Sequence, residues 1–147
     1  MLAARSPQHF LGVNPEGFTC MVSTTGNAFG HIVLRGGSHP NYDPLSIKKA
    51  MDKLNERNLY DSILIDCSHD NSGQKQKGQP FVFKSVLDQR LEGNTSIIGM
   101  MLESNLFEGN QKFSQGSGKL QYGVSITDEC ISWETTEKLL LCAYEQL

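Results

Sequence analysis

Three short apolar runs recur along this chain at nearly equal intervals: Ile32-Val33-Leu34, Ile63-Leu64-Ile65 and Ile97-Ile98-Gly99-Met100-Met101-Leu102. Between them the apolar residues repeat at helical spacing. Ile47, Ala50, Met51 and Leu54 follow Asp43-Pro44, a pair that suits a helix start with aspartate as cap and proline in the first turn. Phe83, Val86, Leu87, Arg90 and Leu91 follow Pro80 and mark a second helix, and Leu139, Leu140, Ala143 and Leu147 line one side of a last helix over roughly 134–146. A strand that is apolar on both faces must be covered, and helices between such strands favour a parallel sheet. The pattern predicts an α/β fold with three parallel, adjacent strands in sequence order, about one βα unit per 34 residues.

The segment before this repeat reads differently. His9 to Val13 and Phe18 to Val22 flank Asn14-Pro15-Glu16-Gly17, whose residue types suit a tight turn. This predicts an antiparallel β-hairpin outside the parallel sheet, and a division into a hairpin segment (1–30) and the βα units (31–147). Residues 68–79 and the Gly-rich stretch from Ser104 to about Asp128 read as loops. The chain is 147 residues long, 38% hydrophobic and 20% charged, enough for one cored domain. No apolar run approaches the ~18–20 residues that cross a bilayer. A net charge of -3 without a basic stripe argues against a nucleic-acid partner. Cys20, Cys67, Cys130 and Cys142 form no CxxC pair, and the first residues hold no apolar leader core. Both point to reduced thiols and a cytoplasmic protein.

Each apolar run ends in a residue capable of chemistry: Arg35 after the first, His69 shortly after the second, Glu103 after the third, each 34 positions from the next. In a (β/α) barrel the C-terminal strand ends converge on one mouth. A cation, an imidazole and a carboxylate brought together there suit an anionic substrate and a divalent metal. Asp128, beyond the third strand's loop, can reach the same mouth. Singly, each has an ordinary reading: a surface arginine, a loop or core histidine, a solvated strand-end carboxylate. Cys67 and His69, two apart, could share a face as a metal pair, although a buried, inert cysteine is the commoner case. Gly36-Gly37 could bring backbone close to a phosphate or simply make a turn.

The blocks around these residues resemble the type I 3-deoxy-D-arabino-heptulosonate 7-phosphate (DAHP) synthases. His31-Ile32-Val33-Leu34-Arg35-Gly36-Gly37 with Asn41-Tyr42 resembles one strand and its loop, and Ile65-Asp66-Cys67-Ser68-His69 with Asn71-Ser72 the next strand end. Gly99 to Asn105, with Glu108-Gly109-Asn110-Gln111, resembles the one after. Tyr122 to Asp128 and Cys130 to Thr136 resemble the family's C-terminal block, and His9 to Val13 with Thr24-Thr25-Gly26-Asn27 its extra hairpin. The resemblance implies the last three βα units of a partial (β/α)8 TIM barrel behind the antiparallel hairpin. It implies a metal-dependent transferase that condenses phosphoenolpyruvate with erythrose 4-phosphate, the entry step of the shikimate pathway to aromatic amino acids. By motif, Arg35 corresponds to a ligand of the phosphoenolpyruvate phosphate, and His69, Glu103 and Asp128 to three of four ligands of a divalent ion (Mn, Fe, Co or Zn). Gly12 falls at an inhibitor-site position where glycine resembles the tyrosine-sensitive members. The hairpin's family role implies inhibitor binding, subunit contacts and a homo-oligomer.

Departures accompany the resemblance. It covers only the family's C-terminal portion, roughly the last two-fifths. The segments carrying the cysteine ligand, the other phosphate-binding residues and the tetrose site are absent, and Cys67 does not take the missing ligand's place. Asn14-Pro15 stands where the family usually has Thr-Lys, and Ser38-His39-Pro40 departs from its commoner basic loop. The expectation is a chain inactive by itself. The alternatives are a non-catalytic, truncated paralogue acting as a binding or regulatory protein, and a small metal-binding domain using Cys67, His69, Glu103 and Asp128.

Overall fold

The structure, a computed structural model, describes residues 1–113 and 120–147. A four-residue helix, α1 (Leu2–Arg5), precedes an antiparallel hairpin of β1 (Gln8–Val13) and β2 (Thr19–Thr24). Three strands then form the predicted parallel sheet in the order β3-β4-β5: β3 (Ile32–Leu34), β4 (Ile63–Asp66) and β5 (Ile97–Met101). Helices α2 (Pro44–Asn55) and α3 (Gln79–Leu91) make the two crossovers, and α4 (Trp133–Gln146) closes the described chain. Among the described residues the hairpin pairs only within itself, as expected.

Side-chain alternation sets which sheet face is buried. Ile63, Ile65 and Cys67 point one way and are 0% exposed, packed with Ile47 and Leu54 of α2 and Val82, Phe83, Val86 and Leu87 of α3. The opposite face is open: Val33, Ile98 and Met101 stay 40%, 55% and 43% exposed. Among the described residues, helices therefore cover one side of this sheet, not both. The start of α2 is the one the sequence signals: Asp43 Oδ1 accepts from the amides of Leu45 (3.1 Å) and Ser46 (3.0 Å).

Three readings need correction. The stretch after Glu103 is not simply a loop. It contains β6 (Ser104–Asn105), parallel to β7 (Ile131–Ser132), and bridges from Gly109 to Cys130 and Asn110 to Ser125; residues 114–119 of it lie outside the described residues. The last helix therefore follows β7, not β5, so β5 and α4 are not one simple βα unit. A two-residue strand has too few side chains to show a period. Within α4, Ala143 is buried and Leu139 packs on the core, but Leu140 and Leu147 are 49% and 74% exposed. The buried stripe is narrower than the apolar spacing implies, because α4 packs on α3 and on the short β6–β7 pair.

The Asp43 cap gives a direct test. The bonds from Ser46, side chain first and then amide, hold the Asp43 carboxyl below its ordinary value. A depressed carboxyl stabilises above its unfolded pKa and loses that contribution as pH falls through the lower folded value. Asp43→Ala is expected to cost about 1 kcal/mol in urea unfolding at pH 7. The deficit should shrink as pH drops below about 4.

Candidate metal centre

The sequence Asp66-Cys67-Ser68-His69 leaves the end of β4 and turns at once into a 3-10 helix, His69–Ser72, with His69 itself at φ 48°. Asp66 is 3% exposed, a position a carboxylate occupies only when satisfied. Its Oδ1 accepts from the Ser68 amide (2.8 Å) and hydroxyl (2.6 Å), and its Oδ2 lies 2.7 Å from His69 Nδ1. Ser68 Oγ is also 2.7 Å from Nδ1. An ionised carboxylate only accepts, so the ring's hydrogen sits on Nδ1 and the Nε2 lone pair faces outward.

Nε2 faces two more carboxylates. Glu103, in the break between β5 and β6, brings Oε1 to 3.3 Å, and Asp128 brings Oδ2 to 4.0 Å. One donor atom from each of the three residues falls within 4.8 Å of the others. Ligand bonds of about 2.1 Å allow donors on one ion to be up to about 4.2 Å apart, so a small rotation of the exposed Asp128 side chain completes the set. Three donors converging this way could share one cation. Mixed imidazole and carboxylate donors suit a divalent transition ion. These residues fit a metal.

The cluster opens into a cavity of about 390 Å³ that Ser68, Lys75, Asn110 and Glu129 also line. Lys75 Nζ donates to Glu129 Oε1 at 2.9 Å across the rim, and that bond holds the Glu129 carboxyl below its ordinary value. Asp128 reaches the cavity because the preceding segment is pinned: Gln111 donates to the carbonyls of Gln121 (2.8 Å) and Val124 (2.9 Å), and Asn110 to that of Thr127 (2.8 Å).

Not every sequence candidate joins this site. Arg35 follows β3 at the same end of the sheet but is exposed and does not line the cavity, because β3 is an outer strand and the cavity lies on the β4–β5 side. Its loop is nevertheless tied to the His69 turn. The Asn71 side chain donates to Leu34 O (3.1 Å) and Asp66 O (2.8 Å) and accepts from the Asn41 amide (2.8 Å). Asn41 in turn accepts from the Gly36 amide (2.8 Å). Gly36 takes φ +83°, and a Cβ there would lie 2.6 Å from Asp70 Cβ, so the close approach and the backbone both require glycine. Cys67 is not a ligand. It points into the core, and burial, with Asp66 beside it, pushes its thiol up to about 12. That removes the four-residue metal set built on Cys67. Gly12 lies in the hairpin opposite Cys20, where a Cβ would press on Val22 Cγ2 at 2.7 Å.

Residues 1–141 match the DAHP synthetase I family. The chain belongs to that family. It is 46% identical over 140 residues to a Tyr-sensitive phospho-2-dehydro-3-deoxyheptonate aldolase of Salmonella typhimurium, covering 95% of this chain and 39% of the relative. It is 44% identical over 147 residues to the Tyr-sensitive Escherichia coli protein, covering 100% of this chain and 41% of that one. The solved phospho-2-dehydro-3-deoxyheptonate aldolase of Francisella tularensis superposes with a TM-score of 0.88 at 37% identity, over 98% of this chain and 42% of that one. The chain thus spans about two fifths of the length of these DAHP synthetase relatives. No helix among the described residues is long and apolar enough to cross a membrane.

The structure brings together His69, Glu103 and Asp128, which the sequence singled out, whereas Asp66 and Asn71, which hold the His69 turn, were not picked out for that role. Burial was the missing signal for both, since Asp and Asn beside a turn look like ordinary turn formers. Three outcomes follow from the geometry. A divalent-ion titration of the full chain by calorimetry should show one site, absent in His69→Ala. Asp66→Asn should weaken that site about 10–100-fold, because an amide can present N–H to Nδ1 and reverse the tautomer. Under iodoacetamide at pH 8, the exposed Cys142 should alkylate in the folded chain and Cys67 only after unfolding, read by peptide mass spectrometry.

Proposed function

We propose that this chain supplies the metal-holding part, and one phosphate-binding residue, of a DAHP synthase. That enzyme condenses phosphoenolpyruvate with erythrose 4-phosphate to DAHP and phosphate, the first step of aromatic amino acid biosynthesis. The observation that carries the reading is the convergence of His69, Glu103 and Asp128 at the strand ends, in a chain whose family membership extends over residues 1–141. His69, Glu103 and Asp128 would hold the divalent ion (Mn, Fe, Co or Zn), with Asp66 fixing the imidazole's tautomer. The ion, when bound, supplies Lewis-acid polarisation of the tetrose aldehyde. Arg35 would bind the phosphoenolpyruvate phosphate, for which a guanidinium fork is well matched.

On the same reading, the parallel sheet with α2 and α3 is part of a (β/α)8 barrel, whose remaining strands would cover the open face at Val33, Ile98 and Met101. Residues 1–30 would form the inhibitor and subunit-contact element of a cytoplasmic homo-oligomer, with Gly12 at the inhibitor position. The Tyr-sensitive names of the two enterobacterial relatives support that placement. With two substrates to be placed against one ion, misplacement of about 1 Å costs ~100-fold, so residues 1–147 by themselves are expected to bind metal without turnover.

The test is a chimera in which residues 1–147 replace the matching two fifths of the Escherichia coli relative, assayed by loss of phosphoenolpyruvate's enol absorbance. The chimera should turn over, and His69→Ala should abolish this. Arg35→Ala should mainly raise the phosphoenolpyruvate requirement, since it removes binding in the ground state as well as the transition state. An active chimera indifferent to His69→Ala, or full turnover by residues 1–147 alone, would overturn the reading.

A further inference from the structure

We propose that Gln79, the first residue of α3, is a positioning residue for Glu103 and so governs how tightly the cluster holds a divalent ion; this rests on the metal-centre reading above. Glu103 sits where the sheet changes partners. The β4–β5 ladder ends with the Cys67 amide donating to Met101 O at 2.9 Å, and the β6–β7 ladder begins at Ser104. The Glu103 carbonyl still reaches the second ladder, accepting from Ile131 N at 2.9 Å. Its amide, however, is past the end of the first ladder. The Gln79 side chain takes the vacant place: Oε1 accepts from Glu103 N at 2.9 Å, and Nε2 donates to Glu103 O at 3.1 Å. One primary amide thus pairs with both polar groups of Glu103's backbone, as a neighbouring strand residue would.

Gln79 is 0% exposed, so neither bond competes with water. The residue before it is fixed as well. A Cβ on Gly78 would run into the backbone oxygen of Ser72, so the turn that starts with His69 packs directly on the start of α3. Gln79 therefore references Glu103 to the same turn that carries His69. Fixing the Glu103 backbone on both sides sets the direction of its Cα–Cβ bond, and with it the 3.3 Å approach of Oε1 to His69 Nε2. Removing the amide leaves a buried N–H without a partner and frees the backbone to shift. Supports of this kind are worth about 10–100-fold in metal affinity.

Helix α3 provides its own control. Gln89 is also buried, and its Nε2 donates to the carbonyls of Tyr42 (2.9 Å) and Ser85 (3.3 Å), away from the cluster. The experiment is a Co2+ titration of the full chain, following ligand-field absorption, for the unmodified protein, Gln79→Leu and Gln89→Leu. Gln79→Leu should bind Co2+ about 10–100-fold more weakly and with altered bands. Gln89→Leu, which also deletes a buried amide from α3, should keep the unmodified affinity and spectrum. If Gln79→Leu does not fold, the unmodified protein is titrated with Zn2+ and its side-chain amides are followed by nitrogen–proton NMR. The Gln79 amide should shift with saturation and the Gln89 amide should not. A Gln79→Leu chain with the unmodified affinity and bands overturns the inference alone, as does a Gln79 amide that stays still while the His69 ring signals move. An unmodified chain that gives no Co2+ spectrum overturns the metal-centre reading, and this inference with it.

Discussion

A carboxylate buried at the end of the central strand is the constraint on which the rest of this structure depends. Asp66 lies where water reaches little of it, and a charge in such a place is tolerated only if neighbours satisfy it. Ser68 and His69 do so, and in doing so they bend the chain out of β4 into its turn. The turn places the imidazole with one nitrogen tied down and the other free. Strand end, turn and ring orientation therefore come from one local set of bonds. The two other carboxylates of the cluster arrive from segments far away in sequence, each with its own scaffold.

Much of this was legible in the residues. Apolar runs such as Ile63-Leu64-Ile65, set between helices with period 3.6, leave few options besides adjacent parallel strands, and the shared spacing of Arg35, His69 and Glu103 follows from the repeat of strand and helix. The Asp43-Pro44 start of α2 was equally plain, because capping chemistry is local. What escaped was non-local. The pairing of Ser104-Asn105 with Ile131-Ser132 joins segments 27 positions apart through two residues each, too short for any periodic signal. The narrow buried stripe of α4 depends on which neighbours it meets. Gln79 and Asn71 look like unremarkable polar residues until burial reveals that each satisfies several backbone groups at once.

The same distinction explains why Cys67 and His69 differ so sharply despite their closeness in sequence. Strand alternation continues through Cys67 and turns it toward α2 and α3, whereas His69 lies beyond the point where alternation stops. A two-residue spacing places side chains on one face only while the backbone remains extended. Here the extended segment ends between the two residues, so one is sealed in the core and the other faces the cavity.

Asn71 has a consequence for how this end of the molecule comes apart. Its single amide group clasps the last carbonyl of β3, the last carbonyl of β4 and, through Asn41, the glycine turn that follows Arg35. The Arg35 loop and the His69 turn are thereby riveted at one point, and neither can loosen without straining the other. Local opening on heating should therefore release both in a single cooperative step, as one foldon and not two. Amide protons in the two segments would then exchange with solvent at a common rate.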